Sequence, residues 1–416
     1  MQQKLESLIN DEHNGKQIQL NGNIKLNIEQ SGIFTIGKIC VKGIIHIKRS
    51  DIIIDGSNAN IEVNINDSTS SDWSLFFVHP TSRNVTFRNL NIKIQINNKT
   101  DSTRSFSVIY NTAYGMKINN CNFEVITYKQ LNLIGIYNNG NLDTHMETRA
   151  DNFVVSESFI KLECRAEEYN KECNIYGIYN NLANSITVQN TFIYSTNKGN
   201  GELQKAVGVF TNGRFGRFVG NNIKANGTHN IGKEKEQAYA VGFINDGLYS
   251  IITANNIIGE WAGKSVGLEN NGGYTIISSN KILATHTICG RSIINGADNC
   301  EINGNILTST SRNAILLEHT GGKCYIGNNI MEVLMTLDEC RSGCGIKAYG
   351  DMCNNNIICE NIILNVSDCG IFTDKSVGSV FNNQIFAYPK TVPYGSPDNK
   401  YLLTQLDENN IRSIKE

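Results

Sequence analysis

Between residues 85 and 386 the chain repeats one pattern eleven times: a branched apolar residue, two or three small polar residues rich in Asn, then a second apolar residue. Ile118–Phe123, Ile252–Ile257, Ile302–Ile306 and Ile326–Ile330 are examples. The closing apolar residues are Ile92, Phe123, Phe159, Phe192, Ile223, Ile257, Ile282, Ile306, Ile330, Ile362 and Ile385, spaced 23 to 36 residues apart. A repeat at that period predicts a solenoid. Apolar residues alternate over three to five positions in each repeat, as in short strands, and no helical periodicity runs between residues 20 and 395. Parallel strands usually return through a helix. Here the return is too short for one, so strand must coil upon strand, each turn bonded to the next at ~4.8 Å. The doublets Asn221-Asn222, Asn255-Asn256 and Asn328-Asn329 belong at bends. Asn accepts left-handed backbone angles there, and stacked amides can bond from turn to turn.

A second column supports that register. A small residue followed by an apolar one recurs at Gly135-Ile136, Gly177-Ile178, Gly208-Val209, Gly242-Phe243, Gly267-Leu268, Ser292-Ile293, Ala314-Ile315, Gly345-Ile346 and Gly370-Ile371. From there to the next ladder residue is 14 to 17 residues, except after Gly135, where residues 141–150 are inserted. In the other direction the gap swings from 8 to 19. One side of each turn is therefore fixed and the other accepts insertions, as on the binding face of many solenoids. Two earlier turns are expected around Asn23-Ile24 and Asn60-Ile61, giving about thirteen. The whole chain, 1–416, is expected to form one domain: a helical N-terminal cap over 1–20, coil turns over 21–390 and a C-terminal cap over 391–416. The caps would cover ends that otherwise invite edge pairing.

Charge changes the picture by exclusion. A net charge of −2 gives no electrostatic reason to expect nucleic acid or an anionic membrane as partner. The first ten residues lack the apolar core of a secretion signal, so a cytoplasmic location is expected, with secretion after leader removal as the alternative. The twelve cysteines fit that reading as core thiols. Cys300 and Cys324 each precede a ladder Ile by six residues, and Cys344-Gly345 and Cys369-Gly370 fill equivalent places 25 residues apart. No second His or Cys pair gives Cys340 and Cys344 a metal-ligand partner, and no cofactor is expected.

Short turns, the Asn ladder, the helical cap and one-sided loops together resemble the right-handed parallel β-helix of the pectate-lyase-like superfamily. The resemblance implies an all-β fold and, in that superfamily, a substrate groove along the sheet that follows the variable loops. It leaves the reaction open among lyases, glycoside hydrolases, epimerases and phage tailspikes. Locally, Ser265–Asn271 and Gly290–Ile294 are similar to central strands of the inulin fructotransferase family, including a Glu at the position of Glu269.

If the residue after each column Gly points inward, the next points outward. That face would carry Tyr137, Tyr179, Phe210, Ile244, Glu269, Ile294, Leu316, Lys347 and Phe372. Tyr137, Tyr179 and Phe210 would then form a flat stripe on which sugar rings could stack, or else a subunit interface. Glu269 is the one acid in the column. Asn245 and Asp246 lie one turn before it, Asn270 beside it, Glu318 and His319 two turns on, and Trp261 in the loop leading in. Retaining glycosidases place two carboxyls about 5 Å apart and inverting ones roughly 6.5–9.5 Å apart. Glu269 with Asp246 or Glu318 could meet either requirement, with Arg291 able to clamp an anion. Solvated surface acids are the plain alternative. No cluster of acids on consecutive turns suggests Ca²⁺. The expected function is cleavage or rearrangement of a glycosidic bond in an oligo- or polysaccharide. The alternatives are a uronate lyase or epimerase, and a non-catalytic glycan-binding or phage-fibre-like protein. A third series (Ile193, Ile258, Leu283, Leu307, Met331 and Ile363) reads as an outward apolar stripe, favouring a homotrimer. The charged loops 162–174 and 226–238 would wall the groove or lie in solvent.

Overall fold

A typical turn is built from three strands and two left-handed bends; in the first turns one long strand, such as Ile53–Ile65, replaces the two shorter ones. In the computed structural model a seven-residue strand such as Lys264–Asn270 runs into a bend at Tyr274 and then a three-residue strand, Ile276–Ser278. A second bend at Ser279 leads to Lys281–Thr285, after which the connection to the next turn varies in length. The structure describes residues 2–11, 17–28, 32–36, 39–65, 72–97, 105–128, 131–140, 150–166, 173–198, 204–227, 238–285, 288–334, 342–367, 369–373, 378–387, 392–394 and 412–414.

The chain forms two compact units, residues 1–217 and 218–416. In the first, helix Gln2–Asn10 packs Leu5 and Ile9 inward, and the Asn10 amide donates to the His46 carbonyl at 2.7 Å. Strands Gln17–Ile28 and Ile53–Ile65 pair in parallel with Asn23 on Asn60, as expected of the two early turns. Gly32–Ile36 departs from the pattern, pairing antiparallel with Ile39–Ile47. The long strands Ile39–Ile47, Trp73–Val78, Ser105–Asn111, Asn132–Asn139, Cys173–Asn181 and Gln204–Thr211 mark six turns. In the second unit Tyr239–Asn245, Lys264–Asn270, Cys289–Asn295, Asn313–His319, Ser342–Ala348, Cys369–Thr373 and Val392–Tyr394 mark seven. The fold is thus an all-β parallel β-helix with a helical N-terminal cap. Of the expected C-terminal cap, 392–394 and 412–414 are described and add as strands; the rest, including Tyr401–Leu406, lies outside the described residues.

The two sequence columns meet in the core. A Cβ on Gly177, Gly242, Gly267 or Gly345 would come within 2.2 to 2.6 Å of the Cγ2 of Ile193, Ile257, Ile282 or Ile363, the ladder residue of the same turn. Small residues recur there because the opposite wall occupies the space. Five ladder assignments need correction. At Phe159, Phe192, Ile306, Ile330 and Ile362 the core residue is the next one along: Ile160, Ile193, Leu307, Met331 and Ile363, all fully buried. A slip of one residue exchanges the two faces of a strand. Hence four members of the supposed outward stripe (Ile193, Leu307, Met331 and Ile363) are core, and the stripe does not exist as the basis for a trimer. Likewise Leu316, not Ala314, pairs with Ser292, so Leu316 is buried and Glu318 faces outward in its place.

Among the described residues ten cysteines are placed, nine of them buried. Cys300 packs on Cys324, and Cys344 on Cys369, in the stacked register expected.

Candidate functional site

In the second unit the column in register with Glu269 reads, turn by turn, Ile244, which is buried, then Glu269, Ile294, Glu318, Lys347 and Phe372. Two rungs separate Glu269 from Glu318, roughly 9.5 Å along the backbone. Ile294 between them keeps the carboxylates from adjacent rungs, where like charges repel.

The two acids have different surroundings. Glu269 accepts from the Tyr239 hydroxyl at 2.5 Å and from the Asn271 amide at 3.3 Å. The same Asn271 amide donates to Asp246 at 2.9 Å, so one side chain ties together carboxylates on neighbouring turns. Glu318 instead receives Arg291 Nε at 2.6 Å on one oxygen and the Tyr349 hydroxyl on the other. Arg291 is itself fixed by the carbonyls of Gly290 and Asn313, each at 3.2 Å. Burial pushes the Glu318 carboxyl up, but the Tyr349 hydroxyl and the Arg291 guanidinium outweigh it and hold the group below its ordinary range. Burial and the neighbouring carboxylates push both tyrosines the other way, Tyr349 to about 12 and Tyr239 higher still. Both therefore stay protonated donors at ordinary pH. Lys264 lies 5.2 Å over the Tyr239 ring and Lys347 5.0 Å over that of Tyr349, so cations flank the pair.

Three of the residues expected to bind substrate are interior. Asn245, Asn270 and His319 are fully buried and form an amide ladder with Asn295. Asn245 donates to Asn270 and Asn270 to Asn295, each at 2.6 Å, and the Asn295 amide lies 3.1 Å from His319 Nδ1. They hold the bend and cannot touch a ligand. Arg291 is committed to Glu318 rather than open to an incoming anion. Asp246 is exposed beside Glu269, as expected. Trp261 is 43% exposed on a left-handed bend three residues before the Glu269 strand.

Tyr137, Tyr179 and Phe210 lie in the first unit and do not form a flat exposed stripe. They continue a column of His46, Phe77 and Tyr110, and the rings use their faces and edges on one another. Tyr137 meets Tyr110 at 67° and Tyr179 at 88°; only Tyr179 and Phe210 stack, at 4.6 Å and 16°. All three are half-buried. Of the charged loops, Glu163 pairs with Arg165 at 2.9 Å and with Lys198 at 2.6 Å, while Lys233–Glu236 lie outside the described residues.

Sequence reasoning missed Tyr239, Asn271 and Tyr349. The doublet Asn270-Asn271 did carry a signal: alternation sends one amide into the ladder and the other to the surface. No spacing points to the tyrosines, whose hydroxyls reach the carboxylates from neighbouring turns.

No protein-family model matches the chain, and no curated protein matches it in sequence. Solved structures match it in fold. A mutant tailspike protein of E. coli bacteriophage HK620, in complex with a hexasaccharide, aligns over 93% of this chain and 71% of its own, at 10% identity and a TM-score of 0.53. The Dettilon tailspike protein aligns over 82% of this chain at 12% identity and a TM-score of 0.42, and the chain spans only 63% of that protein's length. DFA-IIIase from Arthrobacter chlorophenolicus, in complex with GF2, aligns over 100% of this chain and 92% of its own, at 12% identity and a TM-score of 0.41. At 10% identity the likeness to the HK620 tailspike shows the fold alone, a parallel β-helix.

Proposed function

We propose that the protein binds a glycan along the outward face of the second unit and breaks or rearranges a glycosidic bond between Glu269 and Glu318. One observation carries this reading: two half-buried carboxylates, two rungs apart on one face, held in different environments. Their spacing is near the roughly 6.5–9.5 Å that leaves room for a water between acid and base. Glu318, kept ionised by Arg291, takes the role of base and accepts a proton from that water. Glu269, the other carboxyl of the pair, takes the role of acid and protonates the departing oxygen. The hexasaccharide bound by the similarly folded HK620 tailspike supports a sugar ligand.

A second reading is non-catalytic glycan binding. It is favoured by the way Arg291 and Tyr349 occupy both Glu318 oxygens, as a structural ion pair would. Incubation with fructans, neutral oligosaccharides and uronans, followed by product chromatography, decides between them. Catalysis requires that Glu269→Gln lower turnover about 10²–10⁴-fold with binding retained. Unchanged turnover in that variant removes the assigned site, and bound but uncleaved glycan with the wild-type protein leaves the binding reading.

A further inference from the structure

We infer that the bend following the Glu269 strand forms a separate subsite for one uncharged sugar ring, stacked on Tyr274. The inference rests on the glycan reading above and extends it beyond the carboxylates. Its first support is a backbone anomaly. On successive turns of the second unit the same left-handed position holds Tyr249, Tyr274, Asn299, Lys323 and Asn355, with φ from 55° to 59°. The backbone N–H groups of Tyr249, Tyr274, Asn299 and Lys323 each bond to the following turn, which fixes the register. Asn is at ease there, whereas a bulky side chain is strained and such strain gathers at functional sites. Two consecutive tyrosines at this position are not explained by the bend.

Nor does burial account for them. Tyr249 is 45% and Tyr274 53% exposed, and their rings lie parallel, 5.0 Å apart at 19°. Tyr249 backs one face of Tyr274, and the Tyr274 ring also lines a cleft of about 530 Å³. That is within the roughly 300–1,000 Å³ of ligand sites. The polar lining is Asn271, Asp298, Asn299, Thr320 and Asp351. Asn271 is the residue that bridges Asp246 and Glu269, so the cleft opens beside the carboxylate column. An aromatic face with amide, hydroxyl and carboxylate groups around it suits a ring with apolar C–H faces and hydroxyl edges. The lining carries two acids and no Lys or Arg, so it disfavours a uronate or other anionic sugar.

Gly296 supplies a way to close the cleft without breaking the fold. A Cβ there would lie 3.2 Å from the Asn271 Oδ1 and 3.7 Å from the Thr320 Oγ1, both side-chain ends, and 3.9 Å from the Asn270 carbonyl oxygen, an ordinary contact, so Gly296→Leu should fill the space. Tyr274→Asn keeps a residue suited to the bend while removing the platform. Calorimetric titration with cellohexaose, maltohexaose, an inulin-type hexamer and an alginate hexamer tests the subsite. The wild-type protein should bind at least one of the three neutral hexamers and bind alginate more weakly. Tyr274→Asn and Gly296→Leu should each weaken that binding about tenfold or more, with melting temperatures held near wild type. Unchanged binding in both variants overturns the subsite alone, and preference for alginate overturns its assignment to an uncharged sugar. A wild-type protein that binds none of the sugars removes the glycan reading as well.

Discussion

The outward column is aromatic in residues 1–217 and carries alternating acids in residues 218–416. From His46 to Phe210 the first unit sets ring on ring, and each such pair can add about 0.5–1.5 kcal/mol beyond area burial. From Ile244 to Phe372 the second unit separates Glu269 from Glu318 with Ile294 and surrounds them with tyrosine hydroxyls and cations. The turns are alike, so the backbone does not dictate either choice. An outward position on a β-helix is one the fold leaves open, and in the second unit it is filled with groups that can move protons.

The interior bend differs too. In the second unit it holds Asn221, Asn255, Asn280, Asn305, Asn329, Asn361 and Asn383, each amide donating to the next at 2.9 to 3.0 Å. In the first unit the same place holds Leu90, Cys121, Ser158 and Thr191, with the Cys121 and Ser158 N–H groups donating to the Ser158 and Thr191 hydroxyls at 3.1 and 3.5 Å. The largest stability effect should therefore come from Asn280→Ala. Asn280 donates to Asn305 and to the Ile252 carbonyl, and accepts from both the N–H and the amide of Asn255. Its loss strands several buried polar groups and should cost about 3 kcal/mol or more, against about 1 kcal/mol for Thr191→Val, measured by denaturant unfolding. Equal costs would mean that the amide ladder adds nothing over a hydroxyl.

The ladder also shows why the register was only partly legible. The fold was visible from the Asn doublets and the Gly column, since both recur at the period of a turn. The face of each ladder residue was not, because Phe159-Ile160, Phe192-Ile193, Ile306-Leu307, Ile330-Met331 and Ile362-Ile363 are apolar pairs in which either member could face the core. The buried Asn removes the ambiguity: in every turn of the second unit the core residue follows it by two, from Asn221 and Ile223 to Asn383 and Ile385. Counted that way, Ser292 to Leu307 and Leu316 to Met331 become 15 residues, the same as Gly242 to Ile257 and Gly267 to Ile282. The carboxylates of the candidate site were legible as outward acids. Their tyrosine partners were not, since hydroxyl contacts across turns depend on side-chain reach rather than on period.

A smaller effect comes from His319, which ends the second unit's other amide ladder where the first unit ends its own with Thr211. Burial holds the imidazole below its ordinary value of 6.5, so it is neutral when folded. The unfolded chain gains a proton first as pH falls, so stability is full above about 6.5 and declines below it toward the folded value. His319→Asn should flatten that decline in unfolding curves recorded between pH 7 and 5. His79 in the first unit is lowered in the same direction, chiefly by burial, and should keep its own decline in the variant. A variant that loses stability as steeply as wild type would show that His319 does not set the slope.

The smallest effect tests whether the left-handed bends of the two units are equivalent. Before the interior bend residue the first unit has Asn89, Asn120, Glu157 and Asn190 at φ of 49° to 56°. The second unit has Gly220, Ala254, Ser279, Gly304, Asn328, Glu360 and Asn382 at φ of 53° to 69°. Asn and Gly suit that angle, whereas Glu157 and Ala254 bear a steric penalty of about 1 kcal/mol. Both side chains are exposed, so replacement disturbs no packing. Glu157→Asn and Ala254→Asn should each raise stability by about 0.5 to 1 kcal/mol in thermal unfolding. The gains should match, because the penalty is local to one pair of dihedral angles. Unequal gains would mean that the neighbouring ladder, amide in one unit and hydroxyl in the other, changes how firmly the bend is held.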